Sequence, residues 1–154
     1  MSPLGEHFPE SIKNKVVDAK LNPGVVIYLE VKFPQITKPK FLVLVADDEP
    51  DYWTFVVNSD ISGFVSARPD LLRCQVKIDA ASHDFLSHDS HIACHEVLRL
   101  KREDVLKELR ADPSVIKGGI SADVCAEIAS AVKFAVTLSK TEKENILQCL
   151  ACQE

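Results

Sequence analysis

His83, His88, His91 and His95 fall within thirteen residues, and only His7 lies elsewhere. Imidazole titrates nearest neutral pH of the ordinary side chains and is a common metal ligand. The cluster could therefore hold a metal, move a proton, or line a polar strand. A structural zinc site wants four nitrogen or sulfur ligands in a tetrahedron, and His88, His91, Cys94 and His95 form the candidate set. In a strand, alternation puts His91 and His95 on one face and Cys94 on the other. In a helix, offsets of three and four would instead gather His88, His91 and His95. The flanking residues, with Ile92 and Cys94 alternating, favour the strand, so no metal and no cofactor is expected. Proton transfer then rests on His88 or His91, with Asp89 as the candidate orienting carboxylate.

Two other groups carry chemistry by type. Cys149 and Cys152 have the spacing of a redox pair or half a zinc site, but no second pair or thioredoxin-like strand accompanies them. Tyr52, Trp53 and Phe55 could stack bases. Alternation divides them between two faces, and core packing is the expected role.

The pattern of elements around these residues is mixed. Ser11 followed by Ile12, Val16 and Val17 predicts a short amphipathic helix over 11–21, broken by Asn22-Pro23-Gly24. Period-two alternation predicts strands at Val26–Phe33, Tyr52–Val57 and Arg73–Asp79. Phe41–Ala46 reads as a strand buried on both faces, and Ile92, Cys94 and Val97 suggest a fifth. Asp47–Asp51 is a turn, and 58–70 is a polar loop. From Lys101 the period becomes helical. Val105, Leu106 and Leu109 form one short helix, stopped by Asp112-Pro113. Ser121 caps a longer helix whose stripe is Val124, Ile128, Ala131, Val132, Ala135 and Val136. Thr141 and Glu144 have capping-box spacing for a last helix. The expected class is α+β: a small antiparallel barrel over about 23–100 and a helical part over about 101–154, in one domain.

Composition narrows the function classes. With 154 residues, 46% hydrophobic, the chain can bury a real core. No apolar run is long enough to span a bilayer, so no membrane association is expected. Nor does the N-terminus read as a secretory signal. Five cysteines, an odd number, fit reduced thiols and a cytoplasmic location. The net charge of −5 differs from the basic surplus usual in nucleic-acid binders, and it also suits a basic protein partner.

Four stretches in order carry a resemblance: Pro23–Leu29, Lys38–Val45, Phe55–Ser59, and Phe85–Ile92 followed by Ile116–Ser121. They are similar to the opening proline-glycine and first strand, the basic-then-apolar second strand, the third strand with its terminal hydroxyl motif, and the later strand and glycine connection of the PemK/MazF-like family. That family comprises toxin-type endoribonucleases and their relatives on a Src-homology-3-like barrel with added helices. The match spans about residues 23–138.

The resemblance implies metal-independent cleavage of single-stranded RNA through the 2′-hydroxyl and control by an antitoxin or other protein partner, and apolar surface beyond what one barrel can cover would favour such a partner or a homodimer. By position, Lys38 would stabilise the phosphate and Ser59 would donate a hydrogen bond, with Lys40 and Asn58 contacting RNA. The proton-transfer role of His88 or His91 comes from residue chemistry, since no family residue matches them. Three departures stand out, one of them the connection Pro34-Gln35-Ile36-Thr37, which is short for an RNA-binding loop. Lys38 replaces the family's common arginine, losing the planar fork that grips phosphate bidentately, and Asn58 replaces its first hydroxyl. They keep a second reading open, that of a non-catalytic protein-interaction module on the same barrel.

Overall fold

A computed structural model of the chain describes residues 21–32 and 37–151. The helix expected over 11–21 lies outside these residues except for Leu21, as does Cys152. Twelve elements and a 3-10 turn follow in order: β1 (Val25–Lys32), β2 (Thr37–Asp48), β3 (Asp51–Asn58), α1 (Gly63–Ser66), α2 (Pro69–Leu72), β4 (Gln75–Ile78), β5 (Ser90–Ala93), β6 (Leu98–Lys101), α3 (Arg102–Ala111), the turn Pro113–Val115, β7 (Ile116–Gly119), α4 (Ala122–Phe134) and α5 (Lys140–Ala151).

The strands form one antiparallel sheet in the order β4-β5-β3-β2-β1-β7. β3 gives one edge to β2 and divides the other. Its first half, Asp51–Thr54, pairs β6, and its end, Val57–Asn58, pairs β5. Among the described residues no ladder joins β4 to β7, so the sheet stays open where a closed barrel was expected. The α+β class stands and the closure does not. Closing a barrel needs hydrogen bonds between the two end strands, and here each ends after four residues.

Burial explains the sheet's two faces. Leu42 to Ala46 are all fully buried, as a strand covered on both sides must be. Val43, Val45, Trp53, Phe55 and Val57 point into one core with Val124, Ile128, Val132, Ile146 and Leu150 of α4 and α5. Leu42, Leu44 and Tyr52 point into a second core with Val105, Leu106 and Leu109 of α3. A bulge between Leu44 and Ala46 lets Val45 and Ala46 both face the first core. Thr54 is fully buried, and its Oγ1 donates to Leu98 O at 2.9 Å, so no polar cost remains there.

Local signals placed the helices, with corrections. Ser121 caps α4 as expected, its Oγ accepting from Val124 N at 3.3 Å. The helix ends at Phe134, so Val136 leaves the apolar stripe and is 69% exposed. The 58–70 loop contains α1, capped by Ser62, and the first half of α2. β6 and β7 were not expected as strands. At Gly118 the backbone φ is +156°, and an added Cβ would meet the Phe85 ring at 3.3 Å. That conformation strains any side chain, and the tight approach to the ring adds to the preference for glycine.

The last helix starts two residues before the expected box. Ser139 and Glu142 form it: Ser139 Oγ accepts from Glu142 N at 3.1 Å, and Glu142 Oε1 accepts from Ser139 N at 2.9 Å. Arg99 also donates to the other carboxylate oxygen at 3.1 Å. The Ser139 N–H, and then Arg99, hold the Glu142 carboxyl below its usual range. A lowered folded pKa contributes stability that is complete above the ordinary glutamate value and is lost as pH falls through the folded one. Glu142→Ala should cost about 1 kcal/mol at neutral pH. In urea titrations repeated at falling pH, the gap to the parent should shrink below about pH 4.

Candidate functional site

Polar side chains gather where the second face of the sheet runs past the end of its core. Leu42 pairs Val56, and carrying that register two residues outward sets Lys40 opposite Asn58. Asn58 pairs His91 across β3 and β5, and His91 pairs Lys77 across β5 and β4. Directly opposed residues share a face, so Lys40, Asn58, His91 and Lys77 form one row over four strands, roughly 15 Å at about 4.8 Å per spacing. Lys38 lies two residues from Lys40 on β2 and therefore on the same face.

One contact fixes the row's chemistry. Lys40 Nζ donates to Asn58 Oδ1 at 2.8 Å, and both residues are half-buried. Burial, and then the charge of Lys38, lower the Lys40 pKa from its ordinary value. Two ammonium groups on one strand end would repel unless an anion lay between them. At the far end Lys77 is within 3.5 Å of Asp89. The other Asp89 oxygen accepts from Ala80 N at 2.8 Å. These bonds, the Ala80 N–H first, hold its carboxyl below the usual range. Asp89 is thus engaged by the β4 end and the following turn, and no bond to His88 or His91 is among its contacts.

The remaining candidates lie apart from the row. Ser59 follows β3 and is exposed, one residue beyond Asn58. His88 is exposed in the loop before β5, with Nδ1 3.0 Å from Ser87 Oγ. The sequence thus led to Lys38, Lys40, Asn58 and His91, which the sheet brings together, and to Ser59 and His88, which it does not. It missed Lys77. The alternation Cys74, Val76, Ile78 already placed Lys77 on the solvent face, but only the β4–β5 register sets it beside His91.

The other histidines have structural partners. His83 is buried at 2% exposure. Its Nδ1 lies 2.9 Å from Asp79 O, and its Nε2 accepts from Ser121 N at 3.1 Å. Those two partners require the tautomer that carries its proton on Nδ1. The ring therefore ties the turn after β4 to the first residue of the α4 cap, and it packs edge-on to Phe85. His95 Nδ1 accepts from Gln75 Nε2 at 2.9 Å, and its carbonyl accepts from Thr137 Oγ1. Cys94 is fully buried in the first core, where burial pushes its thiol well up. Among the described residues no three His, Cys, Asp or Glu side chains converge as a metal site. No described helix is long and apolar enough to cross a membrane.

His83→Ala leaves the Ser121 N–H and the Asp79 carbonyl unpaired over a cavity, and should lower stability by about 2–4 kcal/mol. His88→Ala should stay within about 0.5 kcal/mol. Thermal and urea unfolding of the two variants check the contrast.

No protein-family model matches the chain, and no curated protein matches it in sequence. Among solved structures the chain is similar to the MazE–MazF crystal structure, form III, from Deinococcus radiodurans. The identity is 14% over 72% of this chain and 91% of that one, with a TM-score of 0.48.

Proposed function

We propose that the chain is a PemK/MazF-like domain that binds single-stranded RNA along the Lys38–Lys40–Asn58–His91–Lys77 row and cleaves it without a metal. The observation that carries this reading is the row itself: Lys38 and Lys40 beside an amide and an imidazole, with Lys77, paired to Asp89, at its far end, on one sheet face of a protein whose net charge is −5. A local basic stripe is the electrostatic footprint that phosphates require.

In this reading the 2′-hydroxyl oxygen attacks the adjacent phosphorus while His91 takes its proton. The bond from phosphorus to the 5′-oxygen breaks, leaving a 2′,3′-cyclic phosphate on one fragment. The departing 5′-oxygen takes a proton from water, which the protonated His91 replenishes, and becomes a hydroxyl on the other. Lys38 faces the charged phosphorane, where electrostatic stabilisation is the largest contribution expected. Ser59 and His88, off the row, would reach the RNA only beyond the β3 and β5 ends. An antitoxin-like protein that covers the row would act as inhibitor, and a homodimer would present two rows.

A second reading is a protein-interaction module without catalysis. It is favoured by two apolar side chains on the helical side, Phe64 at 67% and Val136 at 69% exposure, since such surface suits a protein partner.

The test is a 5′-labelled single-stranded RNA incubated with purified protein in a chelator. Fragments ending in cyclic phosphate are expected, slowed about 10²- to 10⁴-fold by His91→Ala. RNA that stays bound but intact leaves the row as a binding surface only. RNA that stays unbound sinks this reading and leaves the interaction module.

A further inference from the structure

Water can protonate a departing 5′-oxygen, but the row holds a nearer donor. The Lys40 ammonium is half-buried and is held at 2.8 Å by the Asn58 amide oxygen, a neutral acceptor. Among the described residues no carboxylate lies within ion-pair distance of it, and the charge that acts on it is the like charge of Lys38. Burial and that repulsion both favour the neutral amine, so Lys40 gives up a proton more readily than a solvated lysine. Lys77, at the far end of the row, differs in having a carboxylate, Asp89, at 3.5 Å. An ammonium carries three donors. One reaches Asn58, and two are left for a ligand.

Asn58 stands between Lys40 and His91, one strand from each. The two flanking residues are thus roughly 10 Å apart at the backbone, at about 4.8 Å per strand spacing. Their longer side chains can close on a group seated over the amide. Displacement in line at phosphorus puts the attacking and departing oxygens on opposite sides of it. A base is needed at the 2′-oxygen and an acid at the 5′-oxygen. A phosphate over Asn58 meets both needs, with the imidazole on one side and the ammonium on the other.

We propose that Lys40 is the general acid of RNA cleavage: a proton passes from its Nζ to the 5′-oxygen as the bond from phosphorus breaks, and Asn58 positions the ammonium for that transfer. This inference rests on the cleavage reading above and replaces water as the immediate donor. His91 gains the 2′-hydroxyl proton and Lys40 loses one, so the step leaves an imidazolium and a neutral amine. Exchange with water then restores both. Lys38 keeps its proton throughout and faces the phosphorane.

The experiment compares two labelled single-stranded RNAs that differ at the linkage the parent protein cuts. One has the natural 5′-oxygen, and the other has sulfur in that bridging position. A thiolate departs without a proton, since a thiol is far more acidic than an alcohol, so the sulfur RNA has no use for a general acid. Lys40→Met should slow cleavage of the oxygen RNA about 10²- to 10⁴-fold. It should leave the sulfur RNA near the parent rate, which also shows that the variant is folded. Lys40→Arg keeps the charge but holds its proton too firmly to give it up, and should show the same split. Asn58→Ala should show it in weaker form, which a general loss of structure would not produce. His91→Ala should slow both RNAs, because both need the 2′-hydroxyl deprotonated. Unchanged or equally slowed cleavage of the two RNAs in Lys40→Met overturns the assignment while cleavage stands. So does full activity of Lys40→Arg on the oxygen RNA. A parent protein that leaves RNA intact overturns both readings.

Discussion

The central hairpin, β2 with β3, is buried on both faces, and the rest of the molecule follows from that requirement. A strand with apolar side chains on both sides needs cover on both sides. The α4–α5 pair supplies one cover and α3 the other. Each core residue of this kind contributes roughly 1.5–3 kcal/mol on burial, so neither cover can be removed without exposing several such terms. Polar chemistry is thereby excluded from the middle of the hairpin. It can begin only where burial stops, at Lys40 on β2 and Asn58 on β3. The candidate site sits at that boundary because the core ends there.

The hairpin's turn end is held in a different way. Arg102, at the start of α3, donates to Asp47 and, at 2.7 Å, to Glu49, while its backbone N–H donates to Pro50 O at 2.9 Å. Its guanidinium also lies over the Tyr52 ring. One side chain thus joins the β2–β3 turn, the face of β3 and the first turn of α3. The acidic cluster Asp47-Asp48-Glu49, which reads in sequence as a solvated turn, has a structural partner that distance along the chain conceals.

Legibility followed the range of the interaction. The alternation in β1, β3 and β4, the unbroken apolar run in β2, and the Ser121 cap were readable because each signal is complete within a few residues. β6 alternates too, with Leu98 and Leu100 against Arg99 and Lys101, but so short a strand next to a helix is identified only by its pairing with β3. β7 has two glycines and no alternation, and nothing local marks it. Spacing alone admitted both Thr141–Glu144 and Ser139–Glu142 as capping boxes. The open sheet and the row of site residues depend on register between distant strands. That is why the sequence pointed to Lys40, Asn58 and His91 separately, without Lys77, and why it grouped His83 with His88, His91 and His95 although the fold uses that ring as a brace.

Gly118 and Phe85 bear on a separate question, how descendants of this fold could be recognised after sequence similarity has faded. The aromatic ring of one occupies the space a side chain on the other would need. The backbone at Gly118, with φ +156°, disfavours a side chain whatever the size of the ring, so the glycine is held by its own conformation as well as by its neighbour. The pair is a steric record of β7 passing under the turn after β4, and it would persist when the residues of the polar row had diverged.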